Sequence, residues 1–180
     1  MSRLEIGAVR GLCSAALALA AATPLGAAPD APLDAASAKA FISSLYKPYA
    51  QPFNATWDYV APADATVYEP ALARAMDADS ALHPNAPGTN WGDIDILCMC
   101  QAYDKVTQAT VIKSVAGGHA KAVTTVTVMD SGAPNKTVLN FNLVQVGGAW
   151  RVYDLGETGY SLREAVMSEL KSSQAKRHAH

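Results

Sequence analysis

Two cysteines separated by one residue, Cys98-Met99-Cys100, are the sharpest chemical feature of the chain. Paired thiols do redox chemistry or ligate soft metals. In an extended segment, residues i and i+2 point to one face with Cα atoms about 6.5–7 Å apart, the upper edge of disulfide reach. A bond formed in that geometry is strained, and strain makes it reducible. The bland alternatives, which we prefer, are a structural link that tightens a bend or two buried thiols. A thioredoxin-type motif has two residues between its cysteines, and this one has one. Zinc needs about four ligands. His83 or Asp95 could complete a set, but their loop spacing gives no support, so no metal or other cofactor is expected.

Asp93, Asp95, Tyr103 and Asp104 surround the cysteines. A carboxylate beside a tyrosine in a partly dry cleft can do acid–base work. Carboxylates in turns more often cap backbone N–H groups, and that is the preferred role here. A second group closes the chain: Trp150, Arg151, Tyr153 and Asp154, followed by Arg163. On a strand, Trp150 and Val152 share one face with Asp154 next along it, and Arg151 and Tyr153 share the other. Asp154 and Arg163 could bind a polar ligand, or could form an ion pair that pins the last helix to the sheet. The second reading is preferred. Asp95, Tyr103, Asp104, Trp150, Asp154 and Arg163 are thus the candidate binding residues, and none is assigned a catalytic role. His119 follows a glycine pair in a turn, and His178 and His180 lie at the C-terminus. There is no convincing nucleophilic triad and no phosphate-binding glycine loop.

The elements that would position these groups can be read from periodicity. Ala38, Phe41, Ile42, Leu45, Tyr46 and Tyr49 fall on one face of a first helix, with Asp34 or Ser37 as its cap and Pro48 marking its end. Residues 50–66 read as a loop. A second helix is expected from about Val67 to Ala81 with Leu72, Ala75 and Met76 inward, and the Pro/Gly-rich residues 83–88 break it. From Lys105 the period becomes two. Strands are expected at 105–116, 119–130, 136–146 and 149–155, joined by turns at Gly117-Gly118, 131–135 and Gly147-Gly148. Ser161 and Glu164 match a capping box at the start of a short last helix. Two N-terminal helices, a four-stranded antiparallel meander and a C-terminal helix make an α+β domain, with the helices covering one face of a curved sheet.

The N-terminus carries Arg3 and Arg10, an apolar run from Gly11 to Ala22, and small residues that allow cleavage after Ala22 or Ala27. This is the layout of a secretory signal peptide, too short for a membrane span and followed by Pro24 and Gly26. Cys13 lies inside the apolar run after Leu12, which argues against lipidation. The expected organisation is a signal peptide at 1–27, a flexible lead-in at 28–36, one domain at 37–171 and a disordered, solvated tail at 172–180. The expected location is periplasmic or secreted, with no stable membrane anchor after cleavage, and Cys98 and Cys100 meet an oxidising compartment there. Half of the 180 residues are hydrophobic and 17% are charged, which suits a packed core. The formal charge of −2 leaves no polybasic footprint for nucleic acid.

Three stretches, in order, carry a family resemblance: Phe41-Ile42-Ser43-Ser44-Leu45-Tyr46, the run from Asp93 through Cys98-Met99-Cys100 to Asp104, and Gly148-Ala149-Trp150-Arg151-Val152-Tyr153-Asp154-Leu155 with Ser161-Leu162-Arg163 after it. Over roughly residues 37–170 this order resembles domain-of-unknown-function family 3828, small exported bacterial proteins. The resemblance implies a cone-shaped α+β fold similar to nuclear transport factor 2. It implies no activity, because the family has none assigned as a whole.

Three function classes follow. The leading one is an exported non-enzymatic binding module for a small ligand, an envelope protein or a toxin to be neutralised. The second is a small isomerase- or hydratase-like enzyme of the cone fold, using Asp95, Tyr103, Asp104 or Asp154. The third is a thiol-redox or metal-handling protein using Cys98 and Cys100. The polar–apolar mix on residues 136–146 permits a monomer or a homodimer formed through the sheet.

Overall fold

The computed structural model describes residues 33–50, 66–82 and 95–178. The expected signal peptide, most of the lead-in, the 51–65 loop and the segment holding His83 and Asp93 lie outside the described residues.

Helix α1 spans Ala35–Leu45 and begins at a reciprocal cap. The Ser37 N–H donates to Asp34 Oδ1 at 2.8 Å and the Asp34 N–H donates to Ser37 Oγ at 2.9 Å. Both candidate capping residues are therefore used, each satisfying a donor that the first helical turn leaves free. Ala38, Ile42 and Leu45 are buried, and a 3₁₀ turn at Pro48–Ala50 carries the buried Tyr49. Helix α2 spans Pro70–Ser80, with Leu72, Ala75 and Met76 buried as expected. It starts three residues later than its periodicity suggests. Pro70 holds Glu69 in an extended conformation (φ −59, ψ 138), and Val67 to Glu69 run along a strand instead. Val152 N–H donates to Val67 O at 2.8 Å and Glu69 N–H donates to Val152 O at 2.9 Å.

Strands β1 (Lys105–Ala116), β2 (His119–Asp130), β3 (Ala133–Val146) and β4 (Ala149–Gly156) form an antiparallel sheet in sequence order. The three hairpins use two-residue turns, Gly117-Gly118, Ser131-Gly132 and Gly147-Gly148, with positive φ at both positions of each. That is the turn whose twist matches paired strands. It also lets pairing begin at Asp130↔Ala133, so β3 starts before the expected residue 136. Pro134 is tolerated because β4 pairs only from Asn140 onward and leaves that end of β3 an edge. The inner face carries Val126, Leu139, Phe141, Leu143, Val152 and Leu155, all nearly or fully buried.

Two irregularities break the period of two. The β1–β2 register shifts at Lys113 and the β3–β4 register shifts at Tyr153. An extra residue bends its strand and turns the following side chains over. Asp154 consequently pairs with Asn142, on the outer face, while Val152 and Leu155 both reach the core. Simple alternation had placed Asp154 on the face of Trp150 and Val152; the bulge moves it off.

Helix α3 spans Leu162–His178 and contacts α2 and β4. Leu162 and Val166 are buried. The helix continues through residue 172, where a disordered tail is expected. Its side chains from 171 to 176 are mostly exposed, so the segment is solvated yet helical, with nothing in Ser172 to Lys176 that breaks a helix. Among the described residues no helix is long and apolar enough to cross a membrane.

Candidate functional site

The residues around the cysteines form a compact group. Residues 95–100 make a tight loop closed by an antiparallel bridge between Asp95 and Cys100, with Asp95 N–H donating to Cys100 O at 2.9 Å. Met99 N–H donates to Asp95 O at 2.7 Å, and Met99 sits at φ +52. This turn, not an extended strand, brings the Cα atoms of Cys98 and Cys100 to 5.1 Å, and the two form a disulfide. The separation lies inside the usual disulfide range, where an extended segment would have strained it. Cys98 is fully buried and Cys100 partly so.

Two buried tyrosines hold this loop, and a third packs beside them. Tyr49 Oη donates a short hydrogen bond to Asp95 Oδ2. Tyr46 Oη donates to Leu97 O at 2.9 Å. The Tyr49 ring lies 5.8 Å from that of Tyr46 and 5.6 Å from that of Tyr103. The second Asp95 oxygen accepts the Leu97 N–H at 2.8 Å. Burial pushes the Asp95 carboxyl above its ordinary 3.8, against the opposing pull of Tyr49, Leu97 and Cys98. Burial and the nearby Asp95 together push the Tyr49, Tyr46 and Tyr103 phenols upward. Asp95 and Tyr103, paired by the sequence reading, do come together. Asp104 is exposed at the start of β1, with its N–H on Met129 O.

The second group sits where β4 meets α3. Asp154 Oδ2 accepts from Ser161 Oγ at 2.8 Å, and Oδ1 accepts the Arg163 N–H at 3.0 Å. Ser161 Oγ in turn accepts the Glu164 N–H at 3.0 Å. Asp154 thus meets Arg163 through its backbone. The Arg163 guanidinium goes elsewhere: to Glu69 Oε2 at 3.1 Å, to Tyr153 O at 3.0 Å, and over the Tyr153 ring at 4.0 Å. Glu69 also accepts the N–H groups of Ala71 and Leu72, both at 3.0 Å, and so caps α2. Burial works against its charge, but those bonds and Arg163 outweigh it and hold the carboxyl below its ordinary 4.5. Trp150 is buried, and its Nε1 donates to Ser37 Oγ at 3.0 Å.

Tyr46, Tyr49 and Glu69 were absent from the candidate set. The two tyrosines read as core-facing helix residues, yet a buried phenol needs a hydrogen-bond partner, and that need was the available signal. Glu69 was hidden by placing the start of α2 too early. Among the described residues no group of three or more His, Cys, Asp or Glu side chains could hold a metal ion.

No protein-family model and no curated protein matches the chain. Among solved structures, the chain is similar to a phospholipid-binding protein from Ralstonia solanacearum in complex with a phospholipid, at 16% identity over 76% of this chain and 74% of that one, with a TM-score of 0.33.

Proposed function

We propose that the chain is an exported, non-enzymatic binding module, a relative of domain-of-unknown-function family 3828 with a cone-like arrangement of its helices on the sheet, and that it holds an envelope protein on the outer face of that sheet. The observation that carries this reading is the composition of the outer face. At its centre, Val111 pairs with Val123, and Thr125 lies between Ala109 and Val138. Val111 is 55% exposed and Val138 47%, the two largest exposures among the large hydrophobic side chains described. Lys105, Lys121 and Lys136 stand around this neutral centre on the same face. An uncharged β-branched centre inside a basic rim suits a protein surface with an apolar middle and acidic edges. The candidate polar groups at the helix ends are already engaged: Asp154 and Glu69 cap helices, and Trp150 bonds Ser37. The bonds from Trp150 to Ser37 and from Gln108 to Ser43 also support the cone-like placement of α1. The signal-like N-terminus and a disulfide suit export.

The test is site-specific photo-crosslinking in cells, with the reactive residue at Val111, at Val138 or, on the exposed end of α3, at Lys176. The reading expects one adduct of common mass from Val111 and Val138, its loss with Thr125→Glu, and none from Lys176. Adducts absent from the sheet positions, or unchanged by Thr125→Glu, overturn it.

One observation favours a second reading, a small acid–base enzyme: the Asp95 carboxyl, raised by burial, bonded to Tyr49. That reading requires turnover of a substrate by the purified protein and its loss in Asp95→Asn.

A further inference from the structure

The Cys98–Cys100 link is poorly suited to a purely stabilising role. A cross-link between residues two apart closes a very short loop and removes little freedom from the unfolded chain, since the effect grows with loop length. It also accompanies a cost. Met99 is held at φ +52, a left-handed conformation that a residue with a Cβ disfavours. The loop is otherwise well fastened, by the Asp95–Cys100 bridge and by Tyr46 on Leu97 O. Its fold therefore does not depend on the sulfur–sulfur bond alone.

The surroundings fit the reduced state as well. Cys98 Sγ lies 3.7 Å from Asp95 O and 3.9 Å from Cys100 O. A thiol at that position can donate to either carbonyl, which a disulfide sulfur cannot. The Asp95 carboxyl is bonded by Tyr49 and by the Leu97 N–H, and the Cys98 N–H acts on it too. Each of these groups donates to Asp95, so the carboxylate fastens the loop whether or not the sulfurs are joined.

We infer that Cys98 and Cys100 form a reversible redox couple that exchanges with an external dithiol. The thiolate of the dithiol attacks Cys100 Sγ, the less buried sulfur. The Cys98–Cys100 bond breaks as the mixed disulfide forms, and the electron pair leaves on Cys98, which is protonated from solvent. The second thiolate of the dithiol then attacks its own sulfur in the mixed disulfide and expels Cys100, which is protonated from solvent. Two electrons pass to the protein, and the dithiol becomes a disulfide.

The experiment uses the mature chain, equilibrated with reduced and oxidised dithiothreitol, with thiols trapped by alkylation and counted by mass while far-ultraviolet circular dichroism follows the fold. Full reversible reduction with the fold retained is expected. Met99→Gly removes the left-handed cost and should hold the disulfide against about fivefold more dithiol. Reduction by a Cys-x-x-Cys protein at the same thiol concentration, faster than by dithiothreitol, identifies a protein donor; equal rates identify a small-molecule one. A disulfide that yields only as the dichroism signal is lost overturns the inference. So does an unchanged equilibrium in Met99→Gly.

Discussion

Thr124, fully buried on β2, depends on a chain of polar partners that no local pattern announces. Thr110 Oγ1 lies 2.9 Å from Thr124 Oγ1 and donates to Gln108 Oε1 at 2.7 Å, so Thr124 is the donor between the two threonines. Gln108 Nε2 then donates to Ser43 Oγ at 3.1 Å on α1. Removing the middle member strands a buried hydroxyl, whereas removing the end member strands no donor. Thr110→Val should cost about 1–3 kcal/mol and Thr124→Val about 0.5–1.5 kcal/mol, read from urea midpoints. Asp154 is a cap by the same logic. Asp154→Ala should lower stability by about 1–2 kcal/mol, and Asp154→Asn by less. A ligand-binding carboxylate with no structural task would leave the urea midpoint in place.

At the scale of elements, the sheet has one edge that is covered in part. Val67 to Glu69 lie along β4 through two backbone hydrogen bonds to Val152, and Tyr68 anchors that strip at 1% exposure. An open edge invites pairing with other chains. Tyr68→Ala should cost about 3–5 kcal/mol and raise light scattering on mild warming, as the strip lifts and frees the edge. Gly156 shows how closely the end of β4 meets the turn into α3. A Cβ there would lie 2.1 Å from the Tyr160 carbonyl oxygen, so no larger residue fits without moving backbone.

The molecule as a whole carries carboxyl groups with opposite pH responses. Asp95 is raised above 3.8, so its contribution to stability is full below that value and is lost as pH rises through its folded value. Glu69 is lowered below 4.5, so its contribution is full above that value and is lost as pH falls through its folded value. Urea midpoints between pH 2.5 and 7 should separate the two. Asp95→Asn removes the loss on the rising side, and Glu69→Gln removes the loss on the acid side. Tyr46 and Tyr49 are raised above 10.0, so a further loss is expected as pH climbs past that value, where phenols of the unfolded chain ionise first.

The α+β class, the four strands and their hairpins were legible because they rest on local rules. Alternation along Ala120 to Val128 requires only one buried face. Gly117-Gly118 and Gly147-Gly148 require only the positive φ of a two-residue turn. Where a rule was broken by one residue, local reading failed. The bulge at Tyr153 turned Asp154 over, and Met99 in a left-handed turn shortened the Cys98–Cys100 distance. Partners far apart in the chain were invisible for a different reason. Tyr49 with Asp95, and Glu69 with Arg163, are joined only once distant elements pack. The amino-acid order determined which segments are helices and strands, since backbone geometry and burial of one face act over a few residues. The tertiary structure decided which buried hydroxyl meets which carboxylate, because a polar group taken out of water must find its partner wherever the fold brings one.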